Sequence, residues 1–276
     1  VPEVEVMYWA NHSIGIPCLL PPPVFSNLVI SKERLFNTLE GTMLVPKSYT
    51  ALATEICSPN FINRLGFPVW MRDCSAGTSS AKGAFKALSN EDLKSWVQVN
   101  HGIDQFQLSE YLPGNNYGCF CLFKNGRLVK MCQAQRMEYI MSKVALSGIT
   151  GNTSKVKLLN NGDIKDVALK TIGILCARTG EKMNGLVVVD MKCNASGNPF
   201  VTEINLRHVA YSSIFAAAGF NISEHQLLLA LGRDSEISPE VEITLPVGNY
   251  MLRDVDGEPI YVKELKELKI GDCYQG

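Results

Sequence analysis

The chain contains 276 residues, of which 46% are hydrophobic and 19% charged, a composition that allows a large core in one domain or two lobes and excludes a disordered chain. Because the formal net charge is only −1, overall electrostatics favour neither a nucleic acid nor a membrane surface as partner. The nine cysteines include no CxxC pair and no apolar run is long enough to span a membrane, so the sequence predicts a cytoplasmic protein.

The first predicted element is a helix that follows Ser31. Residues 1–30 contain apolar segments and three consecutive prolines but no complete element, so we interpret them as a residual N-terminal segment or linker. Ser31 is a suitable N-cap for the helix. Three apolar residues then recur on one helical face: Leu35, Phe36 and Leu39. Lys32 lies in the first turn, where its charge opposes the helix dipole, so it is either a solvated lysine or a functional one.

A strand, a loop of small residues and a second helix come next. Residues 67–71 have the apolar composition of a strand, which we expect to end at Arg72. In the run 73–83, small side chains would let backbone N–H groups close around phosphate oxygens, with Arg72 and Lys82 adding charge. The alternative is a flexible hairpin tip, and the run is not a Walker A loop. Ser89 predicts the start of a helix, which completes a small lid.

The alternating and apolar runs over residues 106–136 predict a β-sheet. The stretch 106–112 alternates between apolar and polar residues. Two further apolar runs flank Asn125-Gly126, which is the strongest short-range hairpin signal in the chain. We expect Arg136 to lie beyond this sheet, either as a surface arginine or as a residue that meets an acidic substrate.

The pattern then changes to a helical one. Apolar residues recur at helical spacing from Asp163, which we expect to cap the helix, to Gly180, which ends it. Shorter helices are predicted at 212–219 and 221–231. A final β segment is predicted over 241–262.

The most informative stretch is a predicted hairpin over residues 185–207. Residues 186–189 are an unbroken apolar run rich in β-branched residues, typical of a buried strand, and Asp190 closes it. A turn-forming cluster follows at 194–199. The next strand alternates, so we expect one polar face and one packed face. The polar face carries Val201, Glu203, Asn205 and Arg207, and the packed face carries Phe200, Thr202, Ile204 and Leu206.

Two carboxylates meet in this hairpin. If the hairpin is centred on the middle of its turn, Asp190 lies opposite Glu203, roughly 5 Å away at Cβ. Such a pair repels unless a positive group lies between the two. With the amide oxygen of Asn205, the site offers three hard oxygen donors, a set that suits Mg²⁺. Arg207 would suit a phosphate or carboxylate oxygen. The alternative is an ordinary solvated hairpin face.

The order of these features resembles the ATP-grasp superfamily. The features are Lys32, PVWMR with its glycine-rich loop, SEYLPG, Asp190 and EINLR. Within the superfamily, the chain is similar to the branch of the carbamoyl phosphate synthetase large subunit and related carboxylate-amine ligases. The resemblance implies an α+β fold, in which two lobes with antiparallel sheets clamp the nucleotide. The implied lobes are a lid lobe over 31–110 with the glycine-rich loop and a large lobe over 111–276 with the metal site.

The resemblance also implies a role for each candidate residue. The residues that would contact the ATP phosphates are Lys32 and Arg72, together with Gly77, Thr78 and Ser79 of the glycine-rich loop. The hinge against adenine would be formed by Glu110, Tyr111 and Leu112. The Mg²⁺ ligands, with Mn²⁺ as an alternative ion, would be Asp190, Glu203 and Asn205. The catalytic candidates are Arg207, which would steady the transferred phosphoryl group, and Arg72.

The sequence departs from the family pattern in three places. Where the family usually has a glutamate that holds the ribose, Gly114 is followed by Asn115 and Asn116, and the Asn116 amide is left to bind a hydroxyl. Leu206 replaces the proline that is common in EINPR. The N-terminal domain of the family, which commonly helps to form the substrate site, is expected to be missing before Val1.

The implied function is an ATP-dependent ligase that phosphorylates a carboxylate to an acyl phosphate, which an amine then attacks. The alternative is a nucleotide-binding module that has lost catalysis or works only with a missing domain or partner. The expected partners are small-molecule carboxylate and amine substrates, without nucleic acid or membrane. A second copy in a homodimer or a separate N-terminal domain would be the protein partner.

Overall fold

The computed structural model describes residues 6–9, 12, 15–74, 83–142, 152–242, 248–254 and 258–263. Within these ranges, two antiparallel sheets carry helices on their faces, which confirms the predicted α+β class. None of the described helices is long and apolar enough to cross a membrane.

The first half of the chain supplies the small sheet and the helices around it. The elements are α1 (Pro23–Val29), α2 (Lys32–Leu39), β1 (Ser48–Leu52), α3 (Ala53–Ile56), β2 (Val69–Asp73), β3 (Phe85–Ala87), α4 (Asn90–Val99) and β4 (Gln105–Glu110). The four strands lie in the order β1-β4-β2-β3. Apolar residues of α3 and α4 pack on this sheet and give it a separate core. Burying that apolar surface is what holds the small sheet together.

The second half of the chain supplies the large sheet. Its elements are β5 (Asn116–Lys124), β6 (Arg127–Tyr139), β7 (Thr153–Leu159), α5 (Gly162–Thr179), β8 (Gly185–Cys193), β9 (Pro199–Asn205), α6 (Ser213–Ala217), α7 (Ile222–Ala230), a 3₁₀ turn (Asp234–Glu236), β10 (Tyr250–Leu252) and β11 (Ile260–Val262). The seven strands lie in the order β11-β10-β7-β6-β5-β8-β9.

Helices cover both faces of the large sheet. Successive residues of β5 point to opposite faces, so Cys119 and Cys121 join the core that contains α1, α2 and α5, whereas Phe120 joins the core that contains α6 and α7. Helices α1 and α2 therefore pack against the large sheet. The predicted lobe boundaries, at residues 30 and 110, stay predictions.

Several local predictions are confirmed. Ser31 caps α2, because its hydroxyl accepts a hydrogen bond from the Arg34 N–H at 3.3 Å. Asn125 and Gly126 both have positive φ between β5 and β6, as the predicted two-residue turn requires. Gly180 ends α5 in the left-handed conformation.

Three local predictions are wrong. The cap of α5 is Asn161, not Asp163, because the Asn161 side chain accepts from the Ile164 N–H at 3.2 Å. Arg72 lies inside β2, which runs on to Asp73, since β4 pairs with β2 over its whole length. Arg136 is neither beyond the sheet nor a surface residue: it lies in β6, paired with Asn116 of β5.

A buried lysine holds the chain beyond the 3₁₀ turn against the large sheet. Lys130 of β6 is fully buried, and its Nζ donates to Ser238 O at 2.8 Å, Ser238 Oγ at 2.8 Å and Glu240 O at 2.6 Å. The ring of Phe220 lies 5.8 Å from the same nitrogen. Three acceptors satisfy the three donors of the ammonium, which is the condition for burying it.

Candidate functional site

The predicted pairing of the two carboxylates is confirmed. Asp190 of β8 lies opposite Glu203 of β9 in the antiparallel register. Toward the turn the register shifts by one residue, so that Met191 pairs with Val201 and Thr202 is the extra residue of a β-bulge. The bulge returns Val201 to the core, so its predicted place on the polar face is wrong.

Pairing across the large sheet gathers polar side chains on one face. Asp190 lies opposite Gly118 of β5 and Glu203 of β9, and residues opposite each other share a face. Two residues further along, Asn116 of β5 lies between Arg136 and Lys192. Because alternate residues of a strand share a face, these two rows lie side by side, about 7 Å apart.

Asp190 is buried and only partly hydrogen-bonded. Its Oδ2 accepts from Arg136 NH1 at 2.8 Å and from Asn205 Nδ2 at 3.1 Å. Its Oδ1 is buried with no hydrogen-bond partner among the described residues. Burial, only partly offset by the Arg136 charge, raises the pKa of Asp190 to about 6. The free oxygen is the kind of atom that a bound cation would satisfy.

Arg136 is fixed between two aromatic rings. Its guanidinium carbon lies 4.8 Å from the centre of the Tyr139 ring and 5.8 Å from that of Tyr211, and its Nε donates to Thr153 Oγ1 at 3.1 Å. Burial acts to lower the pKa of Arg136, but the Asp190 charge, together with Tyr139, Tyr211 and Glu203, outweighs burial and raises the pKa. Arg136 is therefore a permanent cation beside Asp190.

A glycine lets Tyr211 reach this pair. A Cβ atom on Gly118 would overlap the Tyr211 hydroxyl and lie 3.4 Å from Asp190 Oδ1. The Tyr211 hydroxyl is buried and has no hydrogen-bond partner in the described part of the chain. Burial, and then the Asp190 charge, raises its pKa well above the ordinary value, so it stays a neutral phenol.

Glu203 pairs with a lysine from the other half of the chain. Lys32 Nζ, in the first turn of α2, donates to Glu203 Oε1 at 3.0 Å. Although burial acts to raise the pKa of Glu203, the Lys32 charge and hydrogen bond, followed by Arg72, keep that pKa below its ordinary value. Both carboxylates of the site thus already have a cationic partner.

Arg72 joins the small sheet to the hairpin. Its Nε and NH2 donate to Gln107 Oε1 at 2.9 and 2.8 Å, and NH1 reaches Thr202 O at 3.4 Å. Its guanidinium lies 5.1 Å from the centre of the Phe36 ring. Burial lowers the pKa of Arg72 to about 10. Lys32, Arg72 and Glu203 therefore lie together, although they are far apart in the sequence.

The predicted hinge connects the two sheets. Glu110 Oε2 accepts from the Lys47 N–H at 3.2 Å, the Tyr111 ring faces Lys86 Nζ at 4.2 Å, and Leu112 is buried. Beyond the hinge, the Gly114 N–H donates to Cys193 O at 2.8 Å. The hinge thus lies against the end of β8.

The remaining predicted residues are less closely defined. Arg207 follows β9 and is half-buried, and its NH1 donates to His208 O at 3.3 Å. The loop residues Gly77, Thr78 and Ser79 lie outside the described residues.

The candidate metal ligands fit a hard cation. Among the described residues no group of three or more His, Cys, Asp and Glu side chains could hold a metal ion, so the candidate set is two carboxylates and one amide. Asp190 Oδ1 has no described partner, and Asn205 uses its Nδ2 on Asp190, which leaves its amide oxygen as an acceptor. Oxygen donors of this kind suit Mg²⁺.

Sequence reasoning missed several of these residues. It missed Arg136 as the partner of Asp190, Gln107 as the support of Arg72, and Lys192 beside Asn116. Only Gly118 carried a usable signal, because an isolated glycine inside a strand often marks a close approach of another group.

No protein-family model and no curated protein matches this chain, but solved structures do. The D-alanine–D-alanine ligase from Coxiella burnetii matches with 16% identity and a TM-score of 0.51, over 80% of this chain and 62% of that one. An N5-carboxyaminoimidazole ribonucleotide synthetase with bound ADP matches with 14% identity and a TM-score of 0.61, over 84% and 58%.

A third solved structure contains magnesium. It is the biotin carboxylase domain of the Hydrogenobacter thermophilus 2-oxoglutarate carboxylase, in complex with MgADP and bicarbonate. It matches with 13% identity and a TM-score of 0.58, over 84% of this chain and 51% of that one. The chain therefore spans less than two thirds of each of these three proteins.

Proposed function

Since the chain has the ATP-grasp fold, we propose that it is an ATP-dependent ligase that activates a carboxylate as an acyl phosphate for attack by an amine. The observation that carries the proposal is the pairing of Asp190 with Glu203 where Lys32 and Arg72 converge. Two opposed carboxylates among cations suit a complex of a divalent metal with a polyphosphate. The names and ligands of the matched structures support the same reading.

The proposed roles follow the charges of the site. The residues assigned to the phosphates are Lys32, Arg72 and, in the glycine-rich loop, Gly77, Thr78 and Ser79. The residues assigned to the base are Glu110, Tyr111 and Leu112, with Asn116 at the sugar. The residues assigned to Mg²⁺, or Mn²⁺, are Asp190, Glu203 and Asn205. Arg207 is assigned to the transferred phosphoryl group.

Nucleotide binding would exchange the partners of Glu203. Without nucleotide, Lys32 neutralises Glu203 and Arg136 neutralises Asp190. With Arg72 and Arg207 also present, the cations near the site outnumber the carboxylates, so the site attracts a polyanion. Lys32 would move to a phosphate oxygen, which frees Glu203 as a metal ligand. The bound Mg²⁺ would neutralise charge on the phosphoryl group.

The reaction then depends on position and charge. A carboxylate oxygen of the substrate attacks the γ-phosphorus, the bond to the bridging oxygen breaks, and ADP leaves. The amine attacks the acyl carbon and loses a proton, and inorganic phosphate leaves. Arg72 and Arg207 would hold the transferring phosphoryl group in line, since this chemistry needs charge neutralisation more than a protein nucleophile.

The proposal also covers the branch of the superfamily to which the chain is similar and the partners with which it works. The EINLR segment favours the branch similar to the carbamoyl phosphate synthetase large subunit. We expect small-molecule carboxylate and amine substrates, and a homodimer or a separate N-terminal domain as the protein partner. Size measurement in solution, with and without Mg-ATP, tests the homodimer.

The decisive experiment combines calorimetry with a phosphate-release screen. We expect the wild type to bind Mg-ATP and to release phosphate with one of a panel of amino and hydroxy acids. Glu203→Gln should reduce turnover at least about 100-fold while the fold survives. The control is Glu138→Gln, an exposed carboxylate on the same sheet, which should leave turnover unchanged. Wild-type turnover in Glu203→Gln would contradict the metal assignment, and binding without release would favour a non-catalytic module.

A further inference from the structure

Lys192 is a cation of the site face that the proposed roles leave unused. It lies two residues beyond Asp190 on β8, so the two side chains share a face of the sheet. Its Nζ lies 3.5 Å from Asn116 Oδ1 on β5. None of the ion pairs found among the described residues includes Lys192.

The charge of Lys192 does not serve the fold. The side chain is partly buried. A partly buried charge without a carboxylate costs free energy that a neutral side chain of similar length would avoid. Its one described polar contact is long for a hydrogen bond, so donors remain for another acceptor. The position of Lys192 therefore indicates that its ammonium group binds a ligand.

Lys192 lies between the hinge and the carboxylate pair. Next to it, the Cys193 N–H donates to Asn115 O at 3.0 Å, and Cys193 O accepts from Gly114 at 2.8 Å. On its other side, the next row of the sheet holds Gly118 and Asp190. A nucleotide with its base at the hinge and its phosphates at Asp190 would place its sugar over the row of Asn116 and Lys192.

We propose that Lys192 and Asn116 together bind the ribose hydroxyls of the nucleotide, in place of a carboxylate. This inference rests on the proposed Mg-ATP site. A carboxylate only accepts hydrogen bonds, whereas an ammonium only donates them. One hydroxyl oxygen therefore accepts from Lys192 Nζ, and a hydroxyl proton is donated to Asn116 Oδ1. The pair supplies the donor and the acceptor that a sugar diol needs.

The test compares nucleotides that differ only at the sugar. Calorimetry measures the dissociation constants of Mg-ATP, Mg-2′-deoxy-ATP and Mg-3′-deoxy-ATP for the wild type and for Lys192→Met. We expect the wild type to bind at least one deoxy nucleotide about 10-fold more weakly than ATP. Lys192→Met should bind ATP about 10-fold more weakly and no longer distinguish that deoxy nucleotide. Lys170→Met, which removes an exposed lysine of α5, should behave as the wild type.

Three results would overturn the inference. Equal weakening of ATP and both deoxy nucleotides in Lys192→Met would assign Lys192 to a phosphate instead. A wild type that binds all three equally would exclude the sugar contact. A wild type that binds no nucleotide would overturn the proposed function and this inference with it. Circular dichroism verifies the fold of each variant, and Lys192→Gln replaces Lys192→Met if the latter does not fold.

Discussion

The two carboxylates of the site have different surroundings. At the Asp190 end, the side chains of Asp190 and Arg136 are 9% and 20% exposed, and two tyrosine rings and Thr153 hold the arginine. At the Glu203 end, the Glu203 side chain is 37% exposed, and its partner Lys32 is on a helix distant in sequence. One pair lies within the large sheet, and the other lies where two parts of the chain meet.

This difference separates two tasks. Releasing Arg136 from Asp190 would leave a buried carboxylate without its partner, which costs several kcal/mol, so we expect that pair to stay closed. Releasing Lys32 from Glu203 should cost less, because the Glu203 side chain is 37% exposed and keeps Arg72 as a second neighbouring cation. The Asp190 end therefore fixes the geometry, whereas the Glu203 end can change its partner when a nucleotide arrives.

The largest expected effect comes from breaking the enclosed pair. Arg136→Met should lower the free energy of unfolding by about 3–5 kcal/mol, because it leaves Asp190 buried without its counter-charge. Urea unfolding measures the loss. The double variant Arg136→Met/Asp190→Asn should regain much of it. Arg127→Met, on the exposed start of the same strand, should change stability by less than about 0.5 kcal/mol. Equal losses of stability in Arg127→Met and Arg136→Met would contradict the view that Arg136 and Asp190 form an enclosed pair.

The two ends should also respond to pH in opposite directions. The pKa of Asp190 is raised from 3.8 to about 6, so its contribution to stability is full below about pH 4 and is lost as the pH rises through 6. The loss amounts to about 3 kcal/mol. The pKa of Glu203 is lowered from 4.5, so its contribution is present above that pH and is lost as the pH falls.

Urea unfolding of Asp190→Asn and Glu203→Gln across this pH range tests the opposite directions of the two pH dependences. Relative to the wild type, Asp190→Asn should gain stability as the pH rises from about 4 to about 8. Glu203→Gln should gain stability relative to the wild type as the pH falls below about 4.5. The same sign of slope for both variants would show that the two ends are alike.

The smallest expected effect is a change in the affinity for Mg²⁺ in the absence of nucleotide. Because Lys32 occupies Glu203 without nucleotide, the wild type should bind free Mg²⁺ weakly, and Lys32→Met should bind it about 10-fold more tightly. The same variant should bind Mg-ATP more weakly, since a phosphate partner is lost. Calorimetry without and with nucleotide measures both changes. Arg34→Met on the same helix is the control. Unchanged affinity for free Mg²⁺ in Lys32→Met would contradict the proposal that Glu203 exchanges Lys32 for Mg²⁺.

Much of the hairpin could be predicted from local sequence. The turn-forming cluster and the strand alternation set the register that places Asp190 opposite Glu203. Ser31 and the Asn125-Gly126 turn were predictable for the same reason, since each acts on backbone groups within a few residues. The bulge at Thr202 was not, because an inserted residue leaves no mark in an alternating pattern until its partner strand is known.

The partners of the site residues depend on pairings distant in sequence. Arg136 lies at the polar end of β6, where no apolar pattern continues, and only pairing with β5 and β7 keeps it in the sheet. Gln107 meets Arg72 because β4 pairs with β2 across the intervening loop and helix. Sequence reasoning could identify the carboxylates, but it could not identify Arg136 as the cation that pairs with Asp190.

The lysine beneath the chain after the 3₁₀ turn sets a limit on shortening this protein. Ser238 and Glu240 lie outside every helix and strand, so a truncation that ends at Ile237 looks harmless from the secondary structure. It would nevertheless remove all three acceptors of Lys130 Nζ, a side chain with no exposed surface. An unsatisfied ammonium would then remain beside Phe220 in the apolar core. The smallest stable version of this fold therefore extends past residue 240, unless Lys130 is replaced by an apolar residue at the same time.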